Sequence, residues 1–180
     1  DQISALDREV QRVSTEHAIG DIDEVVKTDQ LEGDFGLLGK RVNDLVNAHI
    51  TMKKRALAVF EEFGRGNFQA SIEQLPGKKA FINQTIESVR GNLTGLISEM
   101  NHMASEHDAG DIDVRIRSDR FQGDFATMAT SVNNMVEAHI RVKKQAMAVI
   151  DEMGRGNFDA HIEQLPGKKA FIKQNFLTQI

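Results

Sequence analysis

Histidine is the residue whose type and spacing could do chemistry in this chain. His17 and His49 recur ninety residues later as His107 and His139, at the ends of helix-like apolar stripes. In a parallel dimer His17 and His49 of both chains would lie at one level and bring four imidazoles together, and His107 and His139 would do the same at another level. Imidazole titrates near neutral pH and can bind zinc, so such a layer could sense protons or hold a metal ion. A polar layer that fixes the register of packed helices is the simpler interpretation, and we favour it. We expect no metal, since no carboxylate or cysteine is spaced to complete a site.

Other catalytic groupings are missing from the sequence. It has no cysteine, no Gly-x-Ser-x-Gly turn, no Walker loop and no His-Glu-x-x-His pair. Gly64-Arg65-Gly66 ends a predicted helix instead of following a strand, so it is not a phosphate loop. A catalytic site in a bundle core would need inward Glu-x-x-His ligands, and the stripes here are apolar apart from the histidines. An enzyme is therefore the least favoured class, and we expect no cofactor.

The composition excludes further classes. A net charge of −5 over 180 residues argues against a nucleic-acid partner. No apolar run approaches the ~18 residues that a bilayer span needs, so we expect no membrane contact from this segment. The lack of cysteine fits a reducing cytoplasm. Two prolines in the whole chain leave room for long helices.

The chain consists of repeats. Residues 1–90 and 91–180 align without a gap. Within each half a Gly-Asp or Gly-Asn pair recurs, and from Gly20 onward the successive pairs are 46, 44 and 46 residues apart. A fixed period predicts an array of like units. We divide the chain into unit 1 (1–50), unit 2 (51–94), unit 3 (95–141) and unit 4 (142–180).

Apolar residues with a heptad spacing form a seam along each predicted helix. One seam runs from Leu38 to Phe63, and its copy runs from Met128 to Met153. Seams that repeat every 3.5 residues are buried in left-handed coiled coils. One chain cannot cover both sides of such seams, so we predict a parallel homodimer with four helices at each level, stacked into a rod. The seam positions expected to transmit a change in packing are His17, His49, Phe63, Leu93, His107, His139 and Met153.

Between the helices of each unit lies a predicted extended connector. It begins at a glycine that ends the first helix, and its apolar residues should pack into the groove between helices that point the same way. The glycines are Gly20, Gly66, Gly110 and Gly156, and the apolar residues are Ile22 (with Val25 or Val26) and Leu31, Phe68, Ile72 and Leu75, Ile112 and Phe121, and Phe158, Ile162 and Leu165. The second helices are predicted to start with Asp34 and Asp124 as N-caps, and with Pro76 and Pro166 in the first turn.

This pattern resembles the HAMP module of bacterial receptors and sensor kinases. Asp34-Phe35-Gly36 is similar to the acidic–hydrophobic–Gly signature that opens its second helix, and Val42 to Val46 resembles the next part of that helix. Four units in phase resemble the poly-HAMP arrays of soluble chemoreceptors. The chain departs from the pattern in three ways: the first helices lack the usual proline, Ala126 replaces the signature glycine, and units 2 and 4 open their second helix with Leu-Pro-Gly-Lys-Lys. Residues 173–180 also diverge from 83–90, which suggests a fragment or an unusual junction.

The resemblance implies a signal relay in a methyl-accepting chemotaxis protein. Such a segment would lie in the cytoplasm, pass a change of packing through successive parallel bundles, and control a kinase-control or kinase module of the same protein, and then a CheA-type kinase. Two alternatives stay open: the poly-HAMP segment of a sensor histidine kinase, and a passive dimerisation spacer. The alternation of His with Phe, Leu or Met between units suggests that neighbouring units prefer opposite packings.

Overall fold

The structure is a computed structural model that describes residues 1–177, with the backbone alone described from 175 onward. Its described part is all-α, which confirms the predicted fold class, and it contains no strand. The helices are α1 (Gln2–Ile19), α2 (Gly33–Gly64), α3 (Ala80–Asp108), α4 (Gly123–Gly154) and α5 (Ala170–Leu177). The predicted end of unit 4 at residues 178–180 lies outside the described residues. Among the helices described, none combines the length and the apolar character that a membrane span requires.

The chain divides into two compact halves, residues 1–90 and 91–180, which match the sequence repeat. The core of the first half contains Val13 of α1 together with Val26 and Leu31 of the connector. The core of the second half contains the corresponding Met103, Ile116 and Phe121, with Leu96 and Ala129. In each half the connector is therefore part of the core, because it fills the groove beside the helices that it joins.

Each first helix ends at a left-handed glycine. Gly20 has φ 107°, and the N–H of Asp21 donates to the carbonyl of Glu16 at 2.9 Å, which closes the last turn. A side chain would be strained in this backbone conformation, so glycine is the residue expected there. The same backbone conformation and the same closing bond recur at Gly66, Gly110 and Gly156.

The second helices begin slightly differently from the prediction. Asp34 and Asp124 are not N-caps, because α2 and α4 start one residue earlier, at Gly33 and Gly123, and neither helix has a side-chain cap. Positive φ values of 55° and 56° at these two glycines turn the chain into the helix. Each aspartate instead lies in the first turn, where its charge meets the positive end of the helix dipole.

The two prolines also lie just outside the position predicted for them. Pro76 precedes a 3₁₀ turn, Gly77–Lys79, that runs into α3, and Pro166 precedes the equivalent turn, Gly167–Lys169, before α5. A glycine with positive φ again separates the proline from the helix. In all four units the backbone of a glycine, and not a capping side chain, sets the direction in which the second helix leaves the connector.

Candidate functional site: the connectors and the helices they join

The unit 1 connector runs back along α1. Its residue 27 lies opposite residue 9, where the N–H of Lys27 donates to Glu9 Oε2 at 3.1 Å. Its residue 32 lies opposite residue 2, where the N–H of Glu32 donates to Gln2 Oε1 at 3.2 Å. Rising numbers on the connector therefore meet falling numbers on α1, and the two segments are antiparallel.

The same connector is antiparallel to α2. Val26 is hydrogen-bonded to Asn43, and Asp23 forms an ion pair with Lys54 at 3.1 Å. Earlier residues of the connector therefore contact later residues of α2. A segment that is antiparallel to both neighbours makes α1 and α2 parallel. Unit 3 has the same arrangement ninety residues later, with Ile116 bonded to Asn133 and Asp113 paired with Lys144 at 3.1 Å.

The unit 2 connector lies in the same way between the end of α2 and the start of α3. Glu73 pairs with Arg55 of α2, and the guanidinium of Arg90 on α3 donates to the carbonyls of Phe68 and Ala70. Arg90 also lies over the Phe63 ring, 5.4 Å from its centroid, a cation–π contact.

An asparagine of the second helix holds each of the first three connectors by its backbone; we call these residues latch asparagines. Asn43 accepts from the N–H of Val26 at 2.8 Å and donates to the carbonyl of the same residue at 2.9 Å. Asn133 makes the same pair of bonds with Ile116, at 2.9 and 2.8 Å. A side-chain amide suits this position because it offers an acceptor and a donor side by side.

In unit 2 the latch asparagine spans two residues. Asn83 accepts from the N–H of Leu75 and donates to the carbonyl of Glu73, both at 3.0 Å. Sequence reasoning missed the latch asparagines, although Asn43 lies within the HAMP-like motif. A signal was available, since Asn43 and Asn133 are ninety residues apart, but it did not show that their partners are backbone groups.

In unit 3 a buried carboxylate attaches the connector to the first helix. The side chain of Glu99 on α3 is 6% exposed and pairs with Arg117 at 2.6 Å and Arg120 at 2.8 Å. It also accepts from the backbone N–H of Arg117 at 3.3 Å. The hydrogen bonds from Arg117 lower the pKa of Glu99 from 4.5 to about 2, against the opposing effect of burial.

Unit 1 has a carboxylate at the same position with a different partner. Glu9 pairs at 2.9 Å with Arg12, and Arg12 continues to Glu24 and to the carbonyl of Val25 in the connector. The hydrogen bond from Arg12 lowers the pKa of Glu9, and the carboxylates raise the pKa of Arg12. In both units a charged network thus joins the first helix to the connector.

The polarity of this attachment, meaning whether the acidic residue lies on the helix or on the connector, changes along the chain. Offsets of 46, 44 and 46 residues take Glu9 to Arg55, Glu99 and Gln145, and take Lys27 to Glu73, Arg117 and Glu163. Units 1 and 3 place the acid on the helix, unit 2 places it on the connector, and unit 4 has a neutral glutamine on the helix. The charges beside the connector therefore differ between units 1 and 3 on one side and unit 2 on the other.

Two of the four histidines in the seams donate a hydrogen bond to the connector. Nε2 of His17 donates to the carbonyl of Glu24 at 2.8 Å, and Nε2 of His107 donates to that of Val114 at 2.9 Å. His49 and His139 are exposed. The rings of His17 and His107 thus take backbone partners in their own connectors, a contact that the sequence did not predict. Within the part of the chain that the structure describes, no group of three or more His, Asp and Glu is placed to hold a metal.

Burial separates the predicted connector residues into two groups. The later ones in each connector are buried or half-buried: Leu31, Ile72, Leu75, Phe121, Ile162 and Leu165. The first ones are more exposed: Ile22 at 40%, Ile112 at 38% and Phe158 at 64%, while Phe68 is half-buried against Phe63, with ring centroids 5.9 Å apart. Val26 and Ile116, each 2% exposed, are the most buried connector residues of their units. The sequence did not predict Ile116, and it left Val26 as an alternative to Val25.

The seams are divided between two environments. Phe63 is buried, while Leu93 and Met153 are half-buried. One residue per heptad remains open on the other side of the helices: Ile3 and Val10 on α1, Leu38 and Leu45 on α2, and Met128 and Met135 on α4. Their exposed fractions run from 38% to 62%. They belong to the same heptad seams as residues that the connector covers. In each half of the chain the exposed seam residues therefore form an apolar stripe that the connectors leave uncovered: Ile3, Val10, Leu38 and Leu45 in the first half, and Met128 and Met135 in the second.

Parallel helices joined by an extended connector are the arrangement of a HAMP module. Residues 52–94 and 142–176 match the family described as HAMP N-terminal domain 3. These two segments, which lie in units 2 and 4, therefore match the HAMP family, and the resemblance noted in the sequence is confirmed for them.

The chain is also similar to part of a known chemoreceptor. The chain is 38% identical over 94 residues to the methyl-accepting chemotaxis protein McpB of Pseudomonas aeruginosa. The alignment covers 52% of this chain and 14% of that protein. The chain thus spans a small part of the relative it matches, and it is a HAMP-containing segment similar to part of a chemoreceptor.

Proposed function

We propose that this chain is a non-catalytic signal relay of bacterial chemotaxis, which passes a change of helix packing from one HAMP unit to the next. The observation that carries the proposal is the apolar stripe on helices that each connector holds parallel. A helix pair whose apolar residues are covered by the connector on one side and exposed on the other is suited to pack against a second pair. Movement of one pair against the other can then be transmitted along the helices.

The partner that fits the stripe is a second copy of the chain in the same orientation. Leu38 and Leu45 are 47% and 61% exposed, and a two-fold axis along the stripe would place each against its own counterpart. Full burial of a leucine or methionine side chain contributes about 1.5–3 kcal/mol, so several such layers can offset the roughly 4–15 kcal/mol cost of association. The product is a parallel four-helix bundle in each unit.

The relay requires two packings of each bundle that differ by a few kcal/mol. The connectors of units 1 to 3 are each attached to both of their helices, so each ties a rotation or shift of the first helix to the second. Neighbouring units differ in the polarity of that attachment and in the residue at the helix ends, histidine in units 1 and 3 and Phe63 or Met153 in units 2 and 4. This supports opposite preferences in successive units, which would invert a signal at each step.

We infer that the output is a kinase-control module in the same full-length protein, acting on a CheA-type kinase in the cytoplasm. The similarity to a methyl-accepting chemotaxis protein supports this output over a histidine kinase domain joined directly to the array. The expected partners are thus a second copy of the chain and a downstream kinase.

Exchange of units in the full-length protein tests the relay. Replacing unit 1 by a copy of unit 2 should change or invert kinase output, because the two units prefer different packings. Replacing unit 1 by unit 3, which has the same type of attachment, is the matched control and should change output less. Equal kinase output from the parent protein and both exchange variants would show that the chain is a passive spacer.

A further inference from the structure

Unit 4 has different residues at two positions whose side chains attach the connector in unit 2. Lys173 stands where unit 2 has the latch asparagine Asn83, and Gln145 stands where unit 2 has Arg55. The rest of the two connectors is nearly the same, since residues 72–82 and 162–172 are identical. Units 2 and 4 therefore form a natural comparison in which the attachments differ and the connector core does not.

Lysine cannot replace the latch asparagine. Asn83 accepts the N–H of Leu75 while it donates to the carbonyl of Glu73, both at 3.0 Å. An ammonium group has three donors and no acceptor, so Lys173 can satisfy a carbonyl but not the N–H of Leu165. Likewise a neutral glutamine at 145 cannot form the ion pair with Glu163 that Arg55 forms with Glu73.

Burial of the apolar residues differs between the two connectors. Leu75 is buried at 9% exposure, whereas its counterpart Leu165 is half-buried. Phe68 is half-buried and packs on the Phe63 ring, whereas its counterpart Phe158 is 64% exposed. Met153 takes the place of that ring in unit 4. Only Ile162, at 3% exposure, is buried more deeply than its unit 2 counterpart.

We propose that the unit 4 connector is the weakest attachment in the chain, and that it leaves its groove by local opening while the latched connectors stay closed. Segments with few buried contacts and few hydrogen bonds open first in a folded protein. Unit 4 would then be the unit whose packing changes most readily. This inference concerns local opening, and it stands whether or not the chain relays a signal.

Hydrogen exchange of the whole chain, read by mass spectrometry, tests this directly. Peptides that include residues 69–71 or 159–161 distinguish the two connectors, because those triplets differ (Gln-Ala-Ser and Asp-Ala-His). We expect the unit 4 connector to exchange at least ~10-fold faster than that of unit 2, since each lost hydrogen bond accounts for a factor of a few. Equal exchange of the two connectors would overturn the proposal.

Two reciprocal variants separate the latch from other causes. Lys173→Asn supplies the missing amide and should slow exchange of the unit 4 connector several-fold, while the unit 2 connector is unchanged. Asn83→Lys removes the amide and should speed exchange of the unit 2 connector by about tenfold. If Lys173→Asn leaves exchange in unit 4 as it was, the latch is not the cause and the proposal fails, even if Asn83→Lys does not fold.

Discussion

Replacing Glu99 by glutamine should destabilise the second half of the chain. The side chain is 6% exposed and holds two arginines and a backbone N–H of the connector. Glutamine has the same shape, but it has no charge and it brings an N–H₂ group to a place where only donors face it. The connector of unit 3 would thus lose its attachment to α3 while its apolar residues stay unchanged.

The magnitude follows from the lowered pKa of the carboxyl. A pKa of about 2 in the folded chain against 4.5 corresponds to an upper bound of about 3 kcal/mol in favour of the ionised form. Because Arg117 and Arg120 are themselves 62% and 56% exposed, solvent screens the pair, and we expect a loss of about 1–2 kcal/mol.

Urea unfolding followed by circular dichroism measures this loss at pH 7 and at lower pH. The folded pKa lies below the unfolded one, so the contribution is fully present above pH 4.5 and disappears as the pH falls through about 2. The parent chain and Glu99→Gln should therefore differ at pH 7 and converge near pH 2. Glu61→Gln, whose carboxylate is 63% exposed beside Arg65, is the matched control and should change stability little. A Glu99→Gln chain as stable as the parent at pH 7 would refute this reasoning.

Three other substitutions test the connector geometry and the apolar stripe. Gly36→Ala should lower the free energy of unfolding in urea by about 1–3 kcal/mol, because a Cβ there would lie 2.7 Å from the carbonyl oxygen of Leu31. In the control Gly91→Ala a Cβ would meet no atom within 4 Å, so this variant should instead be more stable by up to about 1 kcal/mol. Equal effects of the two substitutions would contradict a steric clash at Gly36. Asn133→Ala should cost about 1–3 kcal/mol in the same assay, because it leaves the N–H and the carbonyl of Ile116 without their partner, so an unchanged midpoint would mean that the latch contributes nothing. Leu45→Glu should shift the chain toward monomer in sedimentation equilibrium while its helical circular dichroism is kept, since the side chain is 61% exposed within its own chain. An unchanged mass would show that the stripe is not the interface.

The helices and their order could be predicted because their signals are local. Heptad spacing along Leu38 to Phe63 and the glycine at Gly20 act within one helix, so one sequence suffices to find them. The N-caps of α2 and α4 were placed two residues too late, at Asp34 instead of Glu32 and at Asp124 instead of Gln122. The turn into α2 is made by the backbone of Gly33, which in sequence looks like an ordinary neighbour of Asp34.

The contacts that hold the connectors could not be predicted in the same way. Asn43 bonds to a backbone group 17 residues away, and nothing in its own neighbourhood names that partner. His17 was recognised as a seam residue, but its position in the seam does not reveal that its ring donates to the Glu24 carbonyl of its own connector. Both depend on where the connector lies, and that is known only once the helices are packed.

Disulfide cross-linking through a single cysteine at position 45 tests the proposed parallel dimer most directly. Leu45→Cys introduces the only cysteine of the chain, on the apolar stripe, and a two-fold parallel dimer places it opposite its own copy. We expect mild oxidation of this variant to produce a covalent dimer. Leu57→Cys should give much less, because Leu57 is 67% exposed but lies off the seam. A chain that stays monomeric after oxidation at position 45, or that cross-links equally well at both positions, would contradict the proposal.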